Sequence, residues 1–340
     1  MSIIKMIEKA KSHVRWMKFL WHPFKKTAYL LATPTHNNVG DLAIVVAEEK
    51  FLKACGYEKI VNIVMGDCWE SPKCIARFLP RKALVCFHGG GNMGDIYLDE
   101  QLRRLLLPLL SRHQILIFPE TFFYRNTVKG LAEKEKSINF YNKQNITIAA
   151  REQKSYMLMK KLYPKANILL VPDIVLAMGT QEFNNVREGI LFCFRDDQEK
   201  ALSDADIEKL LAKLEFQGFS CNMTSMIYYQ HITEGMWEKV VQEKMLEISS
   251  ARLLVTDRLH GMIFAALTQT PCIVFGNNHH KIFGVYQWIK ELNYIQFVFS
   301  IDEACAKVRQ MYDLDECKFE FDQSVFSELK EIIRQKGGLL

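Results

Sequence analysis

The chain has 340 residues, 49% of them hydrophobic and 24% charged. That excludes a disordered or fibrous polymer and predicts two globular domains. No run of about 18 apolar residues occurs, so a membrane-spanning helix is not expected. The net charge is +5, and residues 1–26 alone carry +6, leaving the remainder near −1. A nucleic-acid-binding surface, which would spread basic residues over the folded body, is therefore not expected.

In chain order, the first element is a basic segment. Ile3, Ile4, Met6, Ile7, Ala10, Val14 and Met17 recur near helical spacing, followed by Trp16, Phe19, Leu20 and Trp21. Lysines and Arg15 interrupt it too often for a cleavable signal peptide. Two readings stay open: a helix packed on its own domain, or peripheral contact of residues 1–22 with an anionic membrane surface. Strand candidates follow at 27–33, 59–64, 83–87, 114–118, 146–150 and 168–171. Helix candidates between them include 42–54, 97–110 (with Pro108 as a kink or end) and 153–162. The pattern restarts after Met178-Gly179-Thr180, with strands at 189–194, 219–224, 252–256, 272–275 and 295–299. Helices near 204–214, 234–248, 262–267, 283–292 and 304–311 separate these, and a last helix spans 324–335. Such alternation predicts parallel strands joined by crossovers. The expected fold class is α/β, two Rossmann-like doubly wound domains facing across a cleft. The expected divisions are 1–26, 27–180, 181–316 and 317–340. Nine cysteines without a C-x-x-C pair read as reduced thiols of a cytosolic protein.

Ligands of open α/β sheets gather at the carboxyl ends of strands, and four places there are rich in polar residues. Asn38-Val39-Gly40-Asp41 follows the first strand, and Asn92-Met93-Gly94-Asp95 closes the loop His88-Gly89-Gly90-Gly91 after the third. In each, glycine permits a positive-φ turn and aspartate can cap the next helix. Gly89, Gly91 and Gly94 also fit a dinucleotide fingerprint. However, the loop does not open the domain, and Asp95 would repel a pyrophosphate. A carboxylate there suits a sugar hydroxyl better, so Asp41 and Asp95 are either catalytic or merely caps. The third place is Thr256-Asp257-Arg258-Leu259-His260-Gly261, and the fourth is Phe194-Arg195-Asp196-Asp197; Lys281 follows Asn277-Asn278-His279-His280. Arg195, Arg258 and Lys281 thus come from three strand ends and suit an anionic ligand, unless Asp196 or Asp257 simply neutralises them. His260 can carry a proton near neutral pH.

The order of these motifs resembles the polysaccharide pyruvyl transferases. The counterparts are Asn38–Asp41, Gly89–Gly91, Arg151-Glu152-Gln153-Lys154-Ser155, Pro172-Asp173, Arg195-Asp196-Asp197, Thr256–Gly261 and Asn277–Lys281, spanning about 28–290. Pro119-Glu120-Thr121 and Asn278-His279-His280 depart from the family pattern. The resemblance implies a glycosyltransferase-B-like fold. The implied reaction moves the enolpyruvyl group of phosphoenolpyruvate onto two hydroxyls of a sugar, in a cell-surface glycan or its lipid-linked precursor, and releases phosphate. On that reading His260 is the general acid, Arg258 stabilises the leaving phosphate, and Asp41 or Asp95 handles the sugar hydroxyl from the opposite domain. Arg195, Lys281, Asn38, Gly40, His88, Gly90, Gly91, Asn92 and Asn278 contact substrates. Phosphoenolpyruvate is a co-substrate, and no cofactor or metal is implied. Asp204-Ala205-Asp206 and Asp313-Leu314-Asp315 match a metal-binding pattern, but Ser203 before the former makes capping the simpler account. A nucleotide-sugar glycosyltransferase of the same architecture and a non-catalytic scaffold in glycan assembly are the alternatives.

Overall fold

The computed structural model describes residues 3–20, 26–81, 83–142, 145–196, 200, 202–276 and 280–338. Asn278 lies outside the described residues, as do Asp197, Asn277, His279, Trp21 and His22.

The chain forms two compact units. The first carries seven strands: β1 (Thr27–Thr33), β2 (Lys59–Val64), β3 (Leu84–Phe87), β4 (Gly90–Gly94), β5 (Gln114–Phe123), β6 (Thr147–Ala150) and β7 (Asn167–Leu170). Their order is β2-β1-β3-β5-β6-β7, with β4 beside β5. The second carries β8 (Ile190–Cys193), β9 (Cys221–Met223), β10 (Leu253–Thr256), β11 (Cys272–Phe275) and β12 (Ile295–Val298), in the order β12-β11-β10-β8-β9. Every pairing between these strands is parallel. Strands covered on both faces must be apolar at every position. Leu-Val-Cys-Phe in β3, Ile-Leu-Phe-Cys in β8 and Cys-Ile-Val-Phe in β11 meet that condition and are wholly buried.

β5 runs five residues beyond the end expected at Phe118. Its register shifts between Ile117 and Glu120, and this irregularity accommodates Pro119, which has no N–H to give the ladder. The extension lets Glu120, Phe122 and Phe123 pair with β4, so the expected glycine loop is a short strand.

The sequence order reverses at one place in each sheet. In the first, β1 lies between β2 and β3; in the second, β8 lies between β9 and β10. The carboxyl ends of β1 and β3, and those of β8 and β10, are therefore the topological switch points where ligands bind in such sheets. His88 follows β3, while Arg195 and Arg258 follow β8 and β10.

Contacts divide the chain differently from the expected boundary at residue 180. Residues 36–47 and 172–325 make up the second unit, and residues from 326 return to the first. Backbone bonds explain the placement of the early segment: Val39 N–H donates to Met226 O at 2.8 Å, and Tyr228 N–H donates to Asn37 O at 2.9 Å. The last helix, Ser327–Lys336, buries Leu329 and Ile333 completely. Phe326 meets Phe51 edge-on at 5.7 Å, and the Tyr57 hydroxyl donates to Ile333 O at 3.4 Å.

The N-terminal helix, Ile3–Leu20, buries Trp16 and Leu20 in the core of the first unit. The Tyr29 hydroxyl donates to Leu20 O at 2.8 Å. Its other side leaves Lys11, Val14, Arg15, Met17, Lys18 and Phe19 exposed. Among the described residues, no helix is long and apolar enough to cross a membrane.

Candidate active site

The second unit's switch point is built by two adjacent strand ends, since Thr256 of β10 pairs with Cys193 of β8. Thr256 Oγ1 donates to Cys193 O at 2.6 Å and accepts from Arg258 N–H at 3.0 Å. Asp257 is fully buried, and its Oδ1 accepts from Arg195 N–H at 2.8 Å. Burial pushes the Asp257 carboxyl above the usual carboxylate range, although Arg195 and Arg258 pull it back. One buried acid thus ties the two arginine-bearing strand ends together.

Arg258 occupies the N-cap position of the helix Leu259–Leu267 without a side-chain cap bond and is buried. Its Nη2 lies 3.0 Å from Asp196 Oδ1, so the neutralising partner anticipated from sequence is present. That acid is 78% exposed, however, and a solvated carboxylate contributes little to such a pair. Arg195 and Lys281 are also buried. Lys281 opens the helix Lys281–Ile289 after β11, the strand on the other side of β10. Arg195 and Arg258 thus follow two adjacent strand ends within two residues, and Lys281 begins the helix that follows the next strand.

His260 lies in the first turn of its helix, with its ring against the Asn38–Asp41 turn. A Cβ built on Gly40 would lie 2.8 Å from His260 Cγ, well inside van der Waals contact. Glycine is needed here for close approach, not for the positive φ expected: neither Gly40 nor Gly94 adopts one, whereas Gly90 does (φ 129°). On its other nitrogen, His260 Nε2 lies 3.7 Å from Asp173 Oδ2 and has no hydrogen-bond partner among the described residues. Asp173 is buried, with Oδ1 accepting from Val175 N–H at 3.1 Å. In the sequence Pro172-Asp173 appears only among the family counterparts; its approach to His260 joins residues far apart in the chain and has no local signal.

Asn38 caps the helix Val39–Ala54, its Oδ1 accepting from Gly40 N–H at 3.0 Å. Asp41, for which catalysis and capping were both expected, does not cap the helix: it occupies the first turn and is partly exposed, 3.7 Å from His36 Nε2. It belongs to the same unit as His260, not the opposite one.

The first unit's loop is occupied by its own structure. Both Asp95 oxygens are bound by Arg125: Oδ1 by the backbone N–H and Oδ2 by Nε, each at 2.8 Å. Asp95 is therefore not an available base; its side chain is fully buried and anchors the Arg125 segment. Asn92 is likewise taken. Its backbone N–H donates to Glu120 Oε2 at 3.1 Å, and its side-chain oxygen accepts from Arg103. Arg103 also reaches Glu120 Oε1 at 2.8 Å. Burial pushes the carboxyls of Glu120 and Glu100 up to about 7, against the pull of Arg103. Gly90 is buried and Gly91 half-buried in β4. His88 Nδ1 lies 2.9 Å from Glu48 Oε2, and Glu48 Oε1 accepts from Gly89 N–H at 2.8 Å. Sequence reasoning missed Glu48 because it ends an apolar run on a helix. Among the described residues, no group of three acidic, histidine or cysteine side chains could hold a metal. Asp206 completes a capping box with Ser203, as the capping account required.

Residues 38–279 match the polysaccharide pyruvyl transferase family. The chain belongs to that family. It is 32% identical over 278 residues to General stress protein 30 of Bacillus subtilis, covering 80% of this chain and 81% of that protein. It is 30% identical over 281 residues to Pyruvyl transferase 1 of Schizosaccharomyces pombe, covering 77% and 69%. In fold it resembles a functionally uncharacterised protein of Klebsiella pneumoniae (TM-score 0.55, 18% identity, 88% of this chain and 100% of that one). It also resembles the UDP-GlcNAc 2-epimerase of Methanocaldococcus jannaschii (TM-score 0.51, 10% identity, 91% and 99%). The polysaccharide pyruvyl transferase match begins at Asn38 and ends at His279. It thus takes in the Asn38 turn, Asp173, Arg195, Arg258 and His260.

Proposed function

We propose that the protein transfers the enolpyruvyl group of phosphoenolpyruvate to two hydroxyls of one sugar, in a cell-surface glycan or its lipid-linked precursor, forming a cyclic pyruvate ketal and releasing phosphate. The observation that carries this reading is the setting of His260. Its ring is held between Gly40 and the buried Asp173, two residues after a buried arginine at a switch point.

The chemistry assigns a role to each group. The donor carries a carboxylate and a phosphate, and Arg195, Arg258 and Lys281 supply cations for both. His260, in its protonated form, gives a proton to the methylene carbon, which becomes the methyl group. Asp173 provides a counter-charge for the imidazolium. The first sugar hydroxyl adds to the neighbouring carbon and loses its proton, and Asp41 is the candidate acceptor of that proton. The carbon–oxygen bond to phosphate then breaks as Arg258 stabilises the departing charge. The second hydroxyl then bonds to the same carbon and gives its proton to the departing phosphate, closing the ring, so donor and diol yield ketal and hydrogen phosphate. No resident cofactor takes part.

Incubation with phosphoenolpyruvate and a panel of sugar acceptors tests the reading. The expected result is stoichiometric phosphate release and a product heavier by one ketal-linked pyruvate. Transfer from a nucleotide sugar instead would overturn it. The exposed basic and apolar side of the helix Ile3–Leu20 supports contact with an anionic membrane surface, where a lipid-linked acceptor would lie. Sedimentation with anionic liposomes should weaken when residues 1–22 are deleted.

A further inference from the structure

The segment after β9 has no regular secondary structure from Thr224 to Thr233 apart from a single bridge residue, Ile227. It is nonetheless tightly held. Thr224 N–H donates to Phe192 O at 2.8 Å, and Lys244 Nζ donates to Thr224 Oγ1 at 2.8 Å. Ile227 pairs with Asn38, and Asn37 Nδ2 donates to Gln230 O at 2.9 Å. The Tyr228 hydroxyl donates to Glu243 Oε2 at 3.3 Å. These bonds shape a depression lined by Thr224, Ser225, Tyr228, Tyr229, Gln230 and Lys244, among others.

Three properties define what the depression fits. It is pre-formed, because its backbone is fixed by bonds within the unit, as binding sites usually are. Tyr229 stands 83% exposed on that fixed backbone, offering a rigid amphipathic ring that loses little entropy on contact. Its polar groups carry little net charge, since Lys244 is paired with Glu247. An aromatic face flanked by hydroxyl and amide groups suits the C–H face and hydroxyl rim of a neutral sugar better than a phosphate. The depression is also continuous with the turn against which His260 packs, through Asn37 and Asn38.

We infer that the Thr224–Gln230 segment is a carbohydrate subsite, in which Tyr229 stacks on a neutral sugar ring of the acceptor. This rests on the proposed transferase reading and adds the place where that enzyme grips its acceptor. The test compares wild type, Tyr229→Ala and Tyr229→Phe as full-length chains. With a working acceptor, Tyr229→Ala should raise its KM roughly tenfold, leaving the KM for phosphoenolpyruvate and the melting temperature unchanged. Tyr229→Phe should retain most of the wild-type KM, because the ring remains. An unchanged acceptor KM in Tyr229→Ala overturns the subsite while leaving the transferase reading intact.

Saturation-transfer NMR with methyl β-glucoside, methyl β-galactoside and methyl N-acetyl-β-glucosaminide judges the subsite without turnover. Signal present in wild type and Tyr229→Phe but lost in Tyr229→Ala supports the inference. Equal signal in all three, or none in wild type, overturns it. If wild type consumes no phosphoenolpyruvate with any acceptor, the parent reading falls, and this binding result still decides the subsite.

Discussion

The two Asn-x-Gly-Asp turns are alike in sequence and opposite in fate. The turn at Asn38–Asp41 begins a helix, presses its glycine against a histidine and leaves its aspartate partly exposed. The one at Asn92–Asp95 has become a strand, with its asparagine held by Arg103 and its aspartate enclosed by Arg125. Both glycines are there because a neighbour comes too close for a side chain: the His260 ring for Gly40, and the Phe123 backbone for Gly94. A four-residue motif therefore reports tight packing. Whether its acid is free for chemistry depends on the charge the rest of the fold sets beside it.

The largest expected effect follows from replacing the histidine on which the first turn packs. His260→Asn should lower kcat by roughly 10²–10⁴-fold with donor binding retained, measured by phosphate release and by thermal shift with phosphoenolpyruvate. Normal turnover would remove His260 from the proton-transfer step. Next come the paired glycine changes. Gly40→Ala and Gly94→Ala should each cost about 1–3 kcal/mol of stability, from overpacking. Only Gly40→Ala should also lower kcat in the folded fraction, because it displaces His260. Equal kinetic loss in both would erase the distinction between the turns.

The aspartates sharpen it further. Asp95→Asn should destabilise by about 1–3 kcal/mol, since a buried acceptor of the Arg125 bonds is lost, with kcat retained. Asp41→Asn should do the reverse, reducing kcat with little change in melting temperature. A fourth prediction concerns the carboxyls around Arg103. Glu100 and Glu120 hold protons in the folded chain up to about 7, whereas the unfolded chain releases them near 4.5. Folded protein therefore binds more protons between those values, and its stability should fall as pH rises through that window. Melting temperatures from pH 4.5 to 8 should show this decline, and Glu100→Gln should flatten it. The smallest effect is at the surface: Met17→Glu and Phe19→Glu should weaken liposome binding with turnover intact.

Much of the fold was legible because strands buried on both faces are unbroken apolar runs. Cys272–Phe275 could be bounded to the residue, as could the helix Gln153–Leu162, which starts after Glu152 whose carboxylate caps Ser155 N–H. β4 was not legible, since Gly-Gly-Asn-Met-Gly has no strand propensity; it exists because β5 absorbs Pro119 and continues. Arg195, Arg258 and His260 could be placed by the strand-end rule alone. The approach of Asp173 to His260 and the seating of residues 36–47 on the second unit could not. They depend on side-chain and backbone contacts between residues far apart in the chain, which carry no local pattern.

The return of the last helix to the first unit has a consequence for biosynthesis. Phe51 and Tyr57 are covered by Phe326–Lys336, so the first unit remains unfinished until the second unit and the helix that follows it have been made. It must wait, partly uncovered, on the ribosome while the second unit is made. A fragment cut at the apparent domain boundary would inherit that same uncovered surface permanently, and should be sticky and poorly expressed.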